Sequence, residues 1–283
     1  MELINNSQVG QLIDRALAED LGWGDATTEA LVSDDQQGKA SIIAKAKGVI
    51  AGTEVAKQVF LKVAPELKVG ILIKDGVNIK PGDIIAKIEG KVASILKAER
   101  VALNFLQHLS GIASETACYV EAVKGLPTQV ADTRKTVPGL RVLEKHAVRA
   151  GGGKNHRMHL GDAILIKDNH LAVLRSQGLS IKEIVARARQ KASPELKVEI
   201  EVKTPQEAVE AAEAGADIIM LDNMDIDDMR QAVQLIKGHA LIEASGGITL
   251  DKVRAVAETG VDLISIGALT HSAKALDISL ELD

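Results

Sequence analysis

Val198–Ile248 reads VEIEVKTPQEAVEAAEAGADIIMLDNMDIDDMRQAVQLIKGHALIEASGGI. Short apolar runs (Val198–Val202, Asp217–Leu221, Ala240–Ile242) alternate with helical segments, the pattern of parallel βαβ units. Each run leads to polar or glycine residues: Glu201, then Asp222-Asn223, then Ser245-Gly246-Gly247. The series extends both ways. Downstream, Asp262–Ile266 runs into Gly267; upstream, Gln129–Ala131 runs into Asp132-Thr133-Arg134-Lys135, and Ala163–Ile166 into Lys167-Asp168-Asn169. The last four ends recur about every 22 residues, close to one βα unit of a barrel. Two units even resemble each other, Ala212–Asp217 and Ala257–Asp262. Functional residues at every strand end mark the active face of an α/β barrel. An open doubly wound sheet would use one crevice instead. Six runs with room for a seventh fall short of the eight in a complete barrel, so the expectation is an incomplete one.

The rest of the chain reads differently. Ser7–Leu21 has the helical period in Val9, Leu12, Ile13, Ala16 and Leu17, and Asp25-Ala26-Thr27-Thr28 reads as the start of a loop. Strands are expected at Lys39–Lys47, Leu67–Ile73 and Asp83–Ile88, with a helix at Thr53–Val63, so residues from about 25 to 92 form a small α+β domain. A long helix follows from about Ser94 to Val123, with Gly111 as a candidate break.

Composition narrows the function classes. The 283 residues are 46% hydrophobic and 26% charged, enough for a sizeable core and ordinary for a globular chain. A net charge of −5 argues against general nucleic-acid or anionic-membrane binding. Four aromatics (Trp23, Phe60, Phe105, Tyr119) are too few for a base-stacking platform. The single Cys118, read as a core residue, allows no intrachain disulfide and suggests a reducing compartment. There is no apolar run of 18 residues and no signal-like N-terminal pattern, so a cytoplasmic protein is expected.

Against this acidic background, Asp132–His170 is basic: Arg134, Lys135, Arg141, Lys145, Arg149, Lys154, Arg157 and Lys167 all fall there, with His146, His156, His159 and His170. Arg141, Lys145 and Arg149, spaced by four, read as a solvated helix face. Arg134, Lys135 and Lys167 sit at strand ends and point into the barrel mouth. Converging cations repel one another unless an anion joins them, which implies a ligand carrying several negative charges. Glu201 and Asp222 bring the opposite charge. They can hold Mg²⁺, bond ribose hydroxyls, stabilise a cationic transition state, or pair with Lys135 or Lys167. Ser245-Gly246-Gly247 and Gly267 form glycine turns before helices on the last two strands, a phosphate-binding arrangement. Gly151-Gly152-Gly153-Lys154 lacks the spacing of a P-loop, and His156 and His159 lack the HExxH pattern of a zinc site.

Three stretches then carry a resemblance: Asp132-Thr133-Arg134-Lys135-Thr136-Val137-Pro138-Gly139-Leu140-Arg141, Gly152-Gly153-Lys154-Asn155-His156-Arg157, and Leu165-Ile166-Lys167-Asp168-Asn169-His170. With Glu199–Val202, Leu221–Asn223, Glu243–Ile248 and Ser265–Gly267 following in order, the chain resembles the quinolinate phosphoribosyltransferases over nearly its whole length. Glu99-Arg100, Asn104–Gly111 and Asp277–Leu280 also fit.

The resemblance implies an N-terminal α/β sandwich over residues 1–112, followed by an incomplete, seven-stranded α/β barrel over 113–269. The tail 270–283 is expected to pack back on the first domain. It implies a homodimer, or a higher oligomer, with active sites shared between subunits. Arg100 is then a cation lent to the partner's site, joining Arg134, His156, Arg157 and Lys167 around quinolinate. Thr133, Lys135, Glu201, Asp222, Ser245, Gly246, Gly247, Gly267 and His271 surround phosphoribosyl pyrophosphate. Lys135, Glu201 and Asp222 are the catalytic candidates, and Glu201 and Asp222 take Mg²⁺ directly or indirectly. The reaction expected is phosphoribosyl transfer to the quinolinate nitrogen with loss of CO₂, in NAD biosynthesis. Two alternatives stand beside it: a paralogous phosphoribosyltransferase-like protein acting on another base, and a Schiff-base aldolase using Lys167.

Overall fold

The computed structural model describes residues 7–283 and divides into two units. One takes the chain up to Ala117 together with Thr136–Gly152 and Ala268–Asp283; the other takes Cys118–Lys135 and Gly153–Gly267. A single cut after residue 112 does not describe this division, because Thr136–Gly152 belongs with the first unit.

In the first unit the elements are α1 (Ser7–Leu21), α2 (Ala26–Leu31), β1 (Gln37–Ala44), β2 (Gly48–Val49), α3 (Thr53–Val63), β3 (Lys68–Ile71), β4 (Asn78–Ile79), β5 (Ile84–Lys91), α4 (Val92–Ala122, which runs on into the second unit) and α5 (Arg141–Ala150). Val9, Ile13 and Leu17 form the buried stripe of α1. The stretch read as a loop at Asp25 is the start of α2, because the Asp25 carboxylate accepts the Thr28 N–H at 3.0 Å and caps the helix. The antiparallel sheet runs in the order C-terminal strand (Ile278–Leu282), β1, β5, β3. Phe60, Ile42, Ile85, Ile88 and Leu106 are fully buried in its core. Gly111 does not break α4. Its missing side chain lets the helix meet the backbone of Lys274, whose carbonyl oxygen would lie 2.1 Å from an added Cβ.

Two expectations about individual side chains are corrected. Lys145 is fully buried rather than part of a solvated face, since the buried stripe of α5 takes in Leu143, Glu144, Lys145, Ala147 and Val148; Arg149 is exposed. Cys118 is exposed rather than core, because the neighbouring turns of α4 turn Thr116 and Tyr119 inward and leave it on the outer side.

The second unit is a parallel sheet of β6 (Gln129–Ala131), β7 (Ile164–Ile166), β8 (Val198–Val202), β9 (Ile218–Asp222), β10 (Leu241–Ser245) and β11 (Leu263–Ser265), ordered β6-β11-β10-β9-β8-β7. Lys154 adds an isolated parallel bridge to Ala131 beyond β6, the place of the expected seventh strand. The result is an incomplete α/β barrel. Helices α6 (Asp168–Arg175), α7 (Ile181–Lys191), α8 (Pro205–Glu213), α9 (Ile226–Ile236) and α10 (Val253–Ala257) follow the strands. Local sequence sets their starts: Thr204 caps α8 with Pro205 in its first turn, and Asp225 accepts from two N–H groups of α9. Register places Ser245 beside Asp222, and Glu201 and Glu243 on either side of Met220. The strand ends are therefore level, and their inward side chains share one mouth. No described helix is long and apolar enough to cross a membrane.

Candidate active site

A cavity of about 450 Å³ opens at the C-terminal ends of the barrel strands. Thr133, Arg134, Lys135, His156, Arg157, Lys167, Glu201, Asp222, Ser245, Gly246 and Gly247 all line it. Gly267 is not part of the lining; it lies just beyond β11, whose Ser265 is. Arg100 and His271 belong to the first unit, are exposed, and are not among the lining residues.

One wall is cationic. The segment after β6 turns on Thr133, whose Oγ1 accepts the Lys135 N–H at 3.0 Å. Arg157 is held by a bond from Nη1 to the Ala163 carbonyl at 3.3 Å. Burial lowers the pKa of Arg157, and the neighbouring Arg134 guanidinium lowers it further. Two like charges sharing one cavity repel, and a ligand of opposite charge relieves that repulsion. Lys167 follows β7, and its N–H is accepted by His170 Nδ1 at 3.0 Å, which shapes the entry to α6.

The facing wall carries oxygen groups. Glu201 Oε1 lies 3.4 Å from Lys167 Nζ, and its Oε2 accepts the Asp168 N–H at 3.3 Å. Asp222 Oδ1 accepts from Asn223 Nδ2 at 3.0 Å. Asn223 has φ 55° and rests against Gly246, where an added Cβ would come within 2.4 Å of its amide. Gly246 and Gly247 have φ 95° and 59°, a left-handed backbone that glycine adopts without strain. The Ser265 hydroxyl donates to Ser245 Oγ at 3.0 Å beside it.

The floor pairs His156 with two residues that the motifs left without a role, Glu199 and Glu243. His156 Nε2 lies 3.3 Å from Glu199 Oε2 and 3.3 Å from Glu243 Oε2, and both glutamates are buried. Burial alone would lower the His156 pKa, but hydrogen bonds and charge from the two carboxylates outweigh it and raise it to about 10. Burial, with the Glu243 charge adding to it, raises the Glu199 pKa. The available signal was the period of two: Glu199 precedes Glu201, and Glu243 precedes Ser245, by one strand repeat on the same face. Of the acidic groups, Glu201 and Asp222 offer partly exposed oxygen ligands on adjacent strands, a donor set that suits a hydrated hard cation. His156, Glu199 and Glu243 bring ligand atoms within 4.8 Å of one another, but in a buried arrangement already paired through the imidazole.

Residues 25–110 match the family model of the quinolinate phosphoribosyl transferase N-terminal domain, and residues 112–281 that of its C-terminal domain. A Bacillus subtilis protein described as a probable nicotinate-nucleotide pyrophosphorylase (carboxylating) is 43% identical over 279 residues, covering 99% of this chain and 95% of its own length. A quinolinate phosphoribosyltransferase (decarboxylating) from Nicotiana glauca is 41% identical over 96% of this chain and 82% of its own. The crystal structure of NadC from Streptococcus pyogenes superposes with a TM-score of 0.95 at 45% identity, covering 100% of this chain and 99% of that one.

Proposed function

The chain belongs to the quinolinate phosphoribosyltransferase family, and on that premise we infer the following course for its reaction. It is a pentosyltransferase of NAD biosynthesis that joins quinolinate to the phosphoribosyl group of phosphoribosyl pyrophosphate, giving nicotinate mononucleotide, CO₂ and pyrophosphate. The observation that carries the reading is the division of one cavity into a cationic wall, a carboxylate pair and a glycine turn.

Arg134, Arg157 and Lys167, with His156, receive the two carboxylates of quinolinate; arginine forks suit carboxylates in particular. Thr133 and Lys135 face the pyrophosphate, while Ser245, Gly246 and Gly247, with Gly267 just beyond the next strand, take the 5-phosphate. Glu201 and Asp222 lie on the ribose side and would hold Mg²⁺, which would supply charge neutralisation for the leaving pyrophosphate. As the C1–pyrophosphate bond breaks, positive charge grows at C1, and the two carboxylates stabilise it. The quinolinate nitrogen attacks C1. The ring nitrogen is then cationic and draws electrons as the C2–carboxylate bond breaks; CO₂ leaves and C2 takes a proton. No protein nucleophile is needed, so orientation and charge placement do the catalysis. The match to quinolinate phosphoribosyltransferases over nearly the whole chain opposes the Schiff-base alternative for Lys167.

The working form proposed is a cytoplasmic homodimer, or a multiple of it, in which Arg100 serves the partner's cavity. Mixing inactive Arg100→Ala and Lys135→Ala subunits tests this. Random exchange should restore up to about a quarter of wild-type activity, since half the dimers are hybrid and each has one intact site of two. Proven exchange without recovery rejects the shared site. The activity itself is tested by offering quinolinate and nicotinate in turn: turnover of quinolinate alone is expected, and preference for nicotinate assigns the chain to another branch.

A further inference from the structure

Three buried carboxylates lie on alternate strands of the barrel: Asp132 just after β6, Glu199 on β8 and Glu243 on β10. Side chains of one barrel layer come from alternate strands, and the usual occupants are Val, Ile and Leu. Carboxylates there are costly unless they are paired. Glu199 Oε1 and Glu243 Oε1 nevertheless have no hydrogen-bond partner, and the Oε2 of each has only the shared imidazole. What the three acids share is one short segment, Asn155-His156-Arg157. Asp132 accepts the His156 N–H at 2.9 Å and a bond from Asn155 Nδ2. Glu199 and Glu243 flank the imidazole at Nε2, each at 3.3 Å. The other ring nitrogen, Nδ1, lies 2.9 Å from the Arg157 backbone nitrogen. The ring is fixed at Nε2, and its other side abuts the backbone that carries the Arg157 guanidinium.

We propose that Glu199 and Glu243 are positioning residues for the acid substrate: clamping His156 from two strands, they fix the direction from which Arg157 meets a quinolinate carboxylate. This deepens the functional reading above and rests on it. Neither glutamate has to touch the substrate. Cations on free side chains bind an anion only after being ordered, whereas a supported fork binds without that loss. The phosphate turn at Gly246-Gly247 follows Glu243 on β10 but is tied by bonds of its own, from the Ser265 hydroxyl to Ser245 Oγ at 3.0 Å and from the Asn223 N–H to the Ser245 carbonyl at 2.9 Å.

Glu199→Gln and Glu243→Gln keep side-chain volume and remove the charge. Glu199→Asp and Glu243→Asp keep the charge and withdraw it by one methylene, and they carry the same test if the Gln variants do not fold. Wild-type turnover of quinolinate with phosphoribosyl pyrophosphate is measured first; its absence rejects the functional reading and is separate from the outcome here. Given that turnover, each variant should raise the quinolinate KM about tenfold or more, while the KM for phosphoribosyl pyrophosphate stays within about twofold, the scale on which supporting residues act. An unchanged quinolinate KM, equal rises for both substrates, or a lower Tm with normal kinetics overturns the proposal. Normal kinetics in the Asp variants beside impaired Gln variants also overturns it, since charge alone would then suffice.

Discussion

Lys167 Nζ lies 3.4 Å from Glu201 Oε1, which ties the ends of the neighbouring strands β7 and β8 at the cavity mouth. The lysine side chain is 45% exposed, so the pair is screened and worth on the order of 0–1 kcal/mol to the fold. Its value is to keep a substrate-facing cation and a ribose-side carboxylate in register. Glu201→Gln should therefore leave Tm nearly unchanged while lowering kcat by about 10²-fold, the scale of losing one electrostatic stabiliser. A thermal melt and a kcat measurement on the same sample check this. A large fall in Tm with kcat preserved would make the pair structural.

Asp222 is the last residue of β9 and lines the same cavity. Asp222→Asn keeps its volume and removes its charge. The loss should fall mainly on kcat, because the carboxylate matters most as charge develops at C1. Steady-state kinetics over both substrates check it, and near-normal turnover rejects the electrostatic role.

The two anion subsites should separate by mutation. Arg157→Lys keeps the charge and loses the fork, so quinolinate affinity should fall with little change for phosphoribosyl pyrophosphate. Gly246→Ala should do the reverse, because its φ of 95° and a Cβ 2.4 Å from the Asn223 amide disturb the phosphate turn. Calorimetric titration of each ligand reads the division, which fails if both variants weaken both ligands equally.

Asp75 gives a pH-dependent stability prediction in the first unit. Its carboxylate accepts the Gly52 N–H at 2.9 Å, the Thr53 N–H at 3.0 Å, the Thr53 hydroxyl at 2.7 Å and a bond from His146 Nε2 at 2.7 Å. Burial opposes ionisation, but the bonds from His146, Thr53 and Gly52 outweigh it and hold the carboxyl below its usual range. A depressed folded-state pKa contributes stability that is present above the unfolded value and lost as pH falls through the folded one. Asp75→Asn should cost roughly 2–3 kcal/mol at pH 7, with the gap to wild type closing below about pH 4. Urea unfolding at several pH values measures it; a gap independent of pH would mean the carboxylate's charge is not what matters.

Much of this was legible in the sequence. Polar and glycine residues placed at successive strand ends are enough to specify an α/β barrel face, and the cations at Arg134, Lys135 and Lys167 follow from the same placement. Burial was harder to read. Lys145 lies within the buried stripe of α5 beside Leu143, Ala147 and Val148, and Cys118 lies on the outer side of α4, so spacing and residue type misassigned both. Glu199 and Glu243 were hidden for a related reason. A glutamate in a strand of the form VEIEV reads as the polar half of an alternating pattern, but in a barrel that half faces inward. Only the approach of His156 shows what those acids hold.

The central claim is tested most directly by incubating the protein with quinolinate, phosphoribosyl pyrophosphate and Mg²⁺ and measuring three products in the same reaction. The account predicts nicotinate mononucleotide, CO₂ and pyrophosphate in equal amounts, with none formed when quinolinate is left out. Pyrophosphate released without nicotinate mononucleotide, or a nucleotide formed without CO₂, would contradict it.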